Sequence, residues 1–256
     1  MRLCVTRCFA GFLLSASLAH GAPHSGAGRE VTVDTCGQLV TQGRGVLRAH
    51  LDCSGSDADS GVTILRGTLD LRGFTLTAPS YSQRAVICDD CRIVGPGTIV
   101  GGGVVALTLG SAVKASDVSM VGPAIFAFSG SRTRLIRVNA VGFDVGISGG
   151  GKAKVVESSL VGSGNTGYGI AVPDPARVIL VRSTVGGFGT FGVFAFAIRL
   201  TDSVVIGNAV DPTCDTTCAD LVCAESAPIL RGASSCDSSL DPFPFPGRPW
   251  GVCSDD

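Results

Sequence analysis

The feature that most restricts the fold is a repeat of about twenty residues between Ala85 and Asn208. Six glycines mark it, Gly101, Gly122, Gly142, Gly162, Gly187 and Gly207, at intervals of 21, 20, 20, 25 and 20. Aliphatic or small residues precede the last five at fixed offsets. Before Gly122 stand Val113, Ala115, Val118 and Met120, and before Gly142 stand Thr133, Leu135, Val138 and Ala140. Ala153, Val155, Ser158 and Leu160 precede Gly162. Val178, Leu180, Ser183 and Val185 precede Gly187, and Ile198, Leu200, Ser203 and Val205 precede Gly207. A second beat sets a small residue before an aliphatic one: Ala124-Ile125, Gly146-Ile147, Gly169-Ile170 and Gly192-Val193. Short alternating runs broken by glycine bends at a steady interval describe strands stacked coil upon coil, a β-solenoid.

The composition suits such a stack. Of 256 residues, 45% are hydrophobic, 16% charged and 6% aromatic, and 36 are glycine. That balance excludes coiled coils and disordered tails. Small aliphatic side chains fill thin coils, whereas a sandwich would bring more large rings. A formal net charge of -1 gives no bulk field toward nucleic acid or membranes.

The N-terminus reads as an export signal. Arg2 and Arg7 precede an apolar run from Phe9 to Ala19, which ends in the small-x-small triplet Ala19-His20-Gly21. The run is too short to cross the roughly 30 Å of a bilayer. Residues 1–21 are therefore expected to be removed, leaving a secreted or periplasmic protein without a membrane span. Cys4 and Cys8 leave with the signal, and the remaining cysteines are read first as disulfides. Cys36 and Cys53 flank the first ordered element and are expected to pair, a loop closure worth about 3 kcal/mol. Cys88 and Cys91 form a CxxC, which suits a redox pair, half a zinc site or a local staple across a bend. No second CxxC exists, and the mature chain holds only His24 and His50, so no metal is expected. The redox reading needs a βαβ setting that this pattern lacks, which favours the staple. Of Cys214, Cys218, Cys223, Cys236 and Cys253, one is left over; Cys236 and Cys253 are placed among the bonded set.

In order, the chain is expected to hold the signal (1–21), a disordered leader and N-terminal cap (22–60), about seven coils of β-helix (61–208) and a Cys-rich C-terminal cap (209–256). A cap is needed because the first coil otherwise exposes an apolar end and unpaired strand edges. Past Val210 the beat stops, and cysteines and "PFPFPGRPW" take over. The run from Cys36 to Leu76, with its Cys-Gly start, second Cys and "TLDLRGFTLT", resembles the opening of secreted bacterial parallel β-helix repeat proteins of the pectin-lyase-like superfamily. "VRSTVGG" and "TDSVVIGN" are similar to that group's coil ends, and "PILRGASSC" with "WGVC" to its tails. The resemblance implies an all-β, right-handed parallel β-helix. It implies no particular activity, since one fold hosts many chemistries.

Two outward rows follow from the alignment. Five residues before each glycine stand Asp117, Arg137, Glu157, Arg182 and Asp202, alternating in sign. These suit a surface ion-pair ladder, each pair worth about 0.2–1 kcal/mol. The competing reading is a lyase site in which carboxylates hold calcium. Like carboxylates on every second coil lie about 10 Å apart, too far to share an ion whose oxygens sit within about 2.6 Å. The other row is uniform in sign. Eight residues before the glycines come Lys114, Arg134, Lys154, Ile179 and Arg199; ten before come Ala112, Arg132, Lys152, Arg177 and Ala197. This strip is read either as a solvated face guarding against edge pairing or as a groove for an acidic polysaccharide.

Other chemistries find no support. No aromatics interleave with the cations to stack bases, so nucleic acid is not expected as a partner. No histidine lies near Ser158, Ser183 or Ser203, which argues against a catalytic serine. The Gly-His-Gly and Arg-Ile-Lys of polygalacturonases are missing. The glycine runs at 101–103 and 149–151 lack the Lys-Ser/Thr of a phosphate loop. The expectation is thus a monomeric exported module without catalytic residues or cofactor, serving carbohydrate binding or surface structure. Its alternative is a polysaccharide lyase acting on a uronate polymer.

Overall fold

The structure, a computed structural model, describes residues 29–79, 84–106, 111–129, 132–164, 167–208, 219–242 and 247–256. The expected signal peptide, most of the leader, Cys214, Cys218 and the Pro-Phe run at 243–246 lie outside the described residues. Those described contain strands and no helix. Each strand pairs in parallel with its equivalent one coil away, and the stack has three walls.

Wall A comprises Arg44–Leu47, Thr68–Asp70, Cys91–Val94, Ala112–Ser116, Arg132–Ile136, Lys152–Val156, residues 177–181 and 197–201, and Ile229–Arg231. Wall B follows with Leu51–Asp52, Thr75–Thr77, Thr98–Val100, residues 119–121 and 139–141, Ser159–Gly162, Thr184–Gly186, Val204–Ile206 and Ser235–Cys236. Wall C holds Gln38–Thr41, Ser60–Leu65, Arg84–Asp89, Gly103–Ala106, residues 124–129, 143–148, 168–172 and 191–195, Ala219–Cys223 and Ser239–Leu240. Between Gly61 and Asn208 the chain crosses wall A seven times, so six full turns separate the first crossing from the last.

The coils extend beyond 61–208 in both directions. Glu30–Val33 pairs with Arg44–Leu47, and Gln38–Thr41 with Ser60–Leu65, so the segment expected to be a cap is itself wound into the stack. After Asn208, Ala219–Cys223, Ile229–Arg231 and Ser235–Cys236 add a further turn. Longer corners explain why the glycine beat does not show these coils. Val40 pairs with Ile64 and Leu200 with Leu230, spacings wider than the central repeat. Strand register survives such insertions because only the corners absorb them.

The fixed-offset residues form the core. Val113, Leu135, Val155, Leu180 and Leu200 are buried, as are Met120, Ala140, Leu160, Val185 and Val205 on wall B. On wall C, Ile147, Ile170 and Val193 lie in register and are buried. The coil before departs from the expected beat. A register shift between Val121 and Ala124 sets buried Phe128, not Ile125, opposite Ile147. The serine column is a continuous chain of hydrogen bonds. Each hydroxyl accepts the N–H of its counterpart one coil back: Val138 N to Ser158 Oγ at 3.0 Å, Ser158 N to Ser183 Oγ at 3.2 Å, Ser183 N to Ser203 Oγ at 3.1 Å. Each hydroxyl then donates to the carbonyl two residues before it, on Val156, Val181 and Thr201. The serines thereby satisfy corner backbone groups that wall pairing leaves unused.

Disulfides join Cys36 to Cys53 in the first full coil, Cys88 to Cys91, and Cys236 to Cys253 in the last turn. The Cys88–Cys91 bond spans the corner at Asp90 between walls C and A, as a staple would. Cys223 is buried with a free thiol that donates to Phe196 O, and burial pushes its pKa up.

Candidate binding face

The strands that carry the cations alternate strictly. On Arg132–Ile136, Thr133 and Leu135 point into the core while Arg132 and Arg134 are exposed. On Lys152–Val156, Ala153 and Val155 are buried and Lys152 is exposed. Parallel register then stacks the outward residues. One column runs Arg44, Thr68, Arg92, Lys114, Arg134, Lys154, Ile179 and Arg199. A second, beside it, runs Ala112, Arg132, Lys152, Arg177 and Ala197. All seven cations aligned from sequence share this one face of wall A, and the structure adds Arg92 and Arg44 to their column.

Sequence spacing conceals those two for a simple reason. The corner Gly95-Pro96-Gly97 holds one residue more than the later corners, so a count of eight back from Gly101 reaches buried Ile93 instead of Arg92. Arg44 lies in a coil outside the glycine beat. Its charge is already matched, because it pairs with Asp70, which is buried and also accepts the Arg72 N–H at 3.2 Å. The remaining cations are different. Among the described residues, no ion pair joins Arg92, Lys114, Arg132, Arg134, Lys152, Lys154, Arg177 or Arg199 to a carboxylate.

The face is troughed. A concavity of about 530 Å³ is lined by Lys114, Arg132, Arg134, Lys152 and Lys154 together with the carboxylate residue Asp90. A second, of about 430 Å³, opens among Arg44, Arg66, Arg92 and Lys114, and a third, of about 300 Å³, among Arg92, Lys114 and Arg134. Lys114 lines all three, so they adjoin one another on this face. The Asp90 carboxylate accepts the Ala112 N–H at 2.8 Å and closes the second column at its N-terminal end.

Two comparisons within the molecule weigh against a mere solvated guard. The cationic strands are interior, each paired on both sides, so they present no edge to protect. Wall B, built of the same coils, carries no charged residue in its strands from Thr75–Thr77 to Val204–Ile206. The fold therefore does not require cations on an outer face. Like charges about 4.8 Å apart, stacked in register, cost about 0.2–1 kcal/mol per pair.

The alternating row lies at the corner between walls A and B. Arg137 grips Asp117 with two bonds, Nε to Oδ1 at 2.6 Å and Nη2 to Oδ2 at 2.9 Å. Glu157 lies between Arg137, at 3.9 Å, and Arg182. Asp202 turns to the next coil and accepts the Ala233 N–H at 3.0 Å. The Arg137 hydrogen bonds hold the Asp117 carboxyl below the usual range against an opposing effect of burial, and Asp117 raises Arg137 in return. These carboxylates are engaged in holding corners, which is the structural role the alternation suggested. All five residues adopt left-handed backbone, with φ between 47° and 60°, a conformation that non-glycine residues seldom take.

The chain matches no family model, no curated protein and no solved structure with which it was compared.

Proposed function

We propose that this chain is an exported binding module that holds an acidic polysaccharide on the cationic face of wall A. The observation that carries the reading is the set of cations without ion pairs among the described residues, in register on interior strands; five of these cations line one concavity. An uncompensated column of like charge lowers stability unless an anion neutralises it, which is the signature of a face kept for a ligand. Lys114, Arg132, Arg134, Lys152, Lys154, Arg177 and Arg199 are the contacts, with Arg92 extending the row. The three disulfides among the described residues fit an oxidising compartment and so support export. The parallel coils are consistent with placing the chain among pectin-lyase-like β-helix proteins.

The test is a glycan array on the mature protein, repeated at rising salt. Retention of acidic glycans over neutral ones, fading as ionic strength rises, is expected because exposed charges are screened. Retention of neutral glycans alone, or none of any kind, would defeat the reading. Release of unsaturated oligosaccharides from a uronate polymer would replace binding by lyase cleavage on the same face.

A further inference from the structure

We infer that the ligand carries its anions in two parallel rows, as a glycan with two or more oxyanion groups per repeat does, and not in a single row. The inference rests on the reading above and sharpens it to a polysulfated class. It follows from the dimensions of the array. Along each column the residues repeat about every 4.8 Å at the backbone, the separation of neighbouring strands. Across the strand, Arg132 and Arg134, or Lys152 and Lys154, are two residues apart, about 6.6 Å.

A polymer bearing one carboxylate per sugar, seated along Arg92, Lys114, Arg134 and Lys154, would neutralise the first column only. Arg132, Lys152 and Arg177 would still face one another in register. Among the described residues none of the three forms an ion pair with a carboxylate. A ligand with a second row of anions removes that repulsion as well. The concavity of about 530 Å³ is built for both rows, with Lys114, Arg134 and Lys154 in one column and Arg132 and Lys152 in the other. The second column is short. Ala112 and Ala197 end it, and the Asp90 carboxylate stands beyond Ala112. Doubly charged repeats are therefore read over two coils, Arg132 with Arg134 and Lys152 with Lys154, and Arg177 carries the second column one coil further beside the uncharged Ile179. Three of the cations at this centre are arginines (Arg132, Arg134 and Arg177), whose planar forks match oxyanions in two-point contact.

The experiment measures affinity for a highly sulfated dextran and for polygalacturonate of matched chain length at one ionic strength. It uses wild type, the second-column variant Arg132→Ser/Lys152→Ser and the first-column variant Arg134→Ser/Lys154→Ser. Melting curves confirm that each variant folds. Wild type should prefer the sulfated polymer at least tenfold. The second-column variant should lose that preference, its affinity for the sulfated polymer falling at least fivefold further than its affinity for polygalacturonate, and the first-column variant should lose both polymers. Equal wild-type affinity for the two, or equal loss of both in the second-column variant, would overturn the two-row inference and leave the acidic-glycan reading in place. Failure of wild type to bind either polymer would overturn both.

Discussion

Single side chains show how closely the coils are fitted. Thr133 occupies an inward position flanked in register by Val113 and Ala153, and its hydroxyl is buried without a hydrogen-bond partner. An unmade buried hydrogen bond costs about 1–3 kcal/mol, and replacement by an apolar group of the same shape removes the penalty. Thr133→Val should therefore raise stability by about 1 kcal/mol in urea unfolding; a loss would show that the hydroxyl is needed. Ser183 is the opposite case. Its oxygen accepts the Ser158 N–H and donates to Val181 O, so Ser183→Ala should cost about 1–3 kcal/mol. Both positions were visible in the repeat as small polar residues in an aliphatic column. Which hydroxyl would find a partner was not, because that depends on corner geometry. The serines sit beside left-handed corner residues, whereas Thr133 lies in mid-strand, where the walls have already used the backbone groups.

At the scale of the element, the corner ladder and the cation columns respond oppositely to loss of charge. Asp117 titrates below its unfolded value of about 3.9 because Arg137 favours the carboxylate. Its contribution is thus complete above that unfolded value and is lost as pH falls through the lower folded one. Wild type should lose melting temperature more steeply than Asp117→Asn on acidification from pH 6 to pH 3; parallel profiles would contradict the ladder. Removing a strip cation should instead stabilise. Arg134→Gln relieves repulsion from Lys114 and Lys154 in register on either side, a gain of about 0.5–1 kcal/mol at low salt that shrinks as salt screens it. Scanning calorimetry at two ionic strengths checks this, and a destabilised variant would mean that the cations hold the wall together. Both rows were legible from sequence, since a fixed coil length turns offset into register. Arg92 was not, because one additional residue in the Gly95–Gly97 corner moves it off the count.

Across the whole molecule, the same logic explains what the repeat disclosed and what it hid. Alternation and glycine bends announced parallel coils, because few other architectures place equivalent residues at one constant spacing. The first and last coils escaped, since their corners are longer and the glycine beat reports corners, not strands. Function was legible only as a charge pattern. Whether a row of cations is a guard or a site depends on whether its strands are edges, whether carboxylates pair with it and whether the surface is troughed, all of which need three dimensions. If the cation columns on wall A bind a polyanion, one titration shows it. The affinity of residues 22–256 for an acidic polysaccharide is compared at fixed salt with that of the Arg134→Ser/Lys154→Ser variant. A loss of tenfold or more in a variant that melts no lower than wild type is the predicted result; unchanged affinity in that variant would contradict the account.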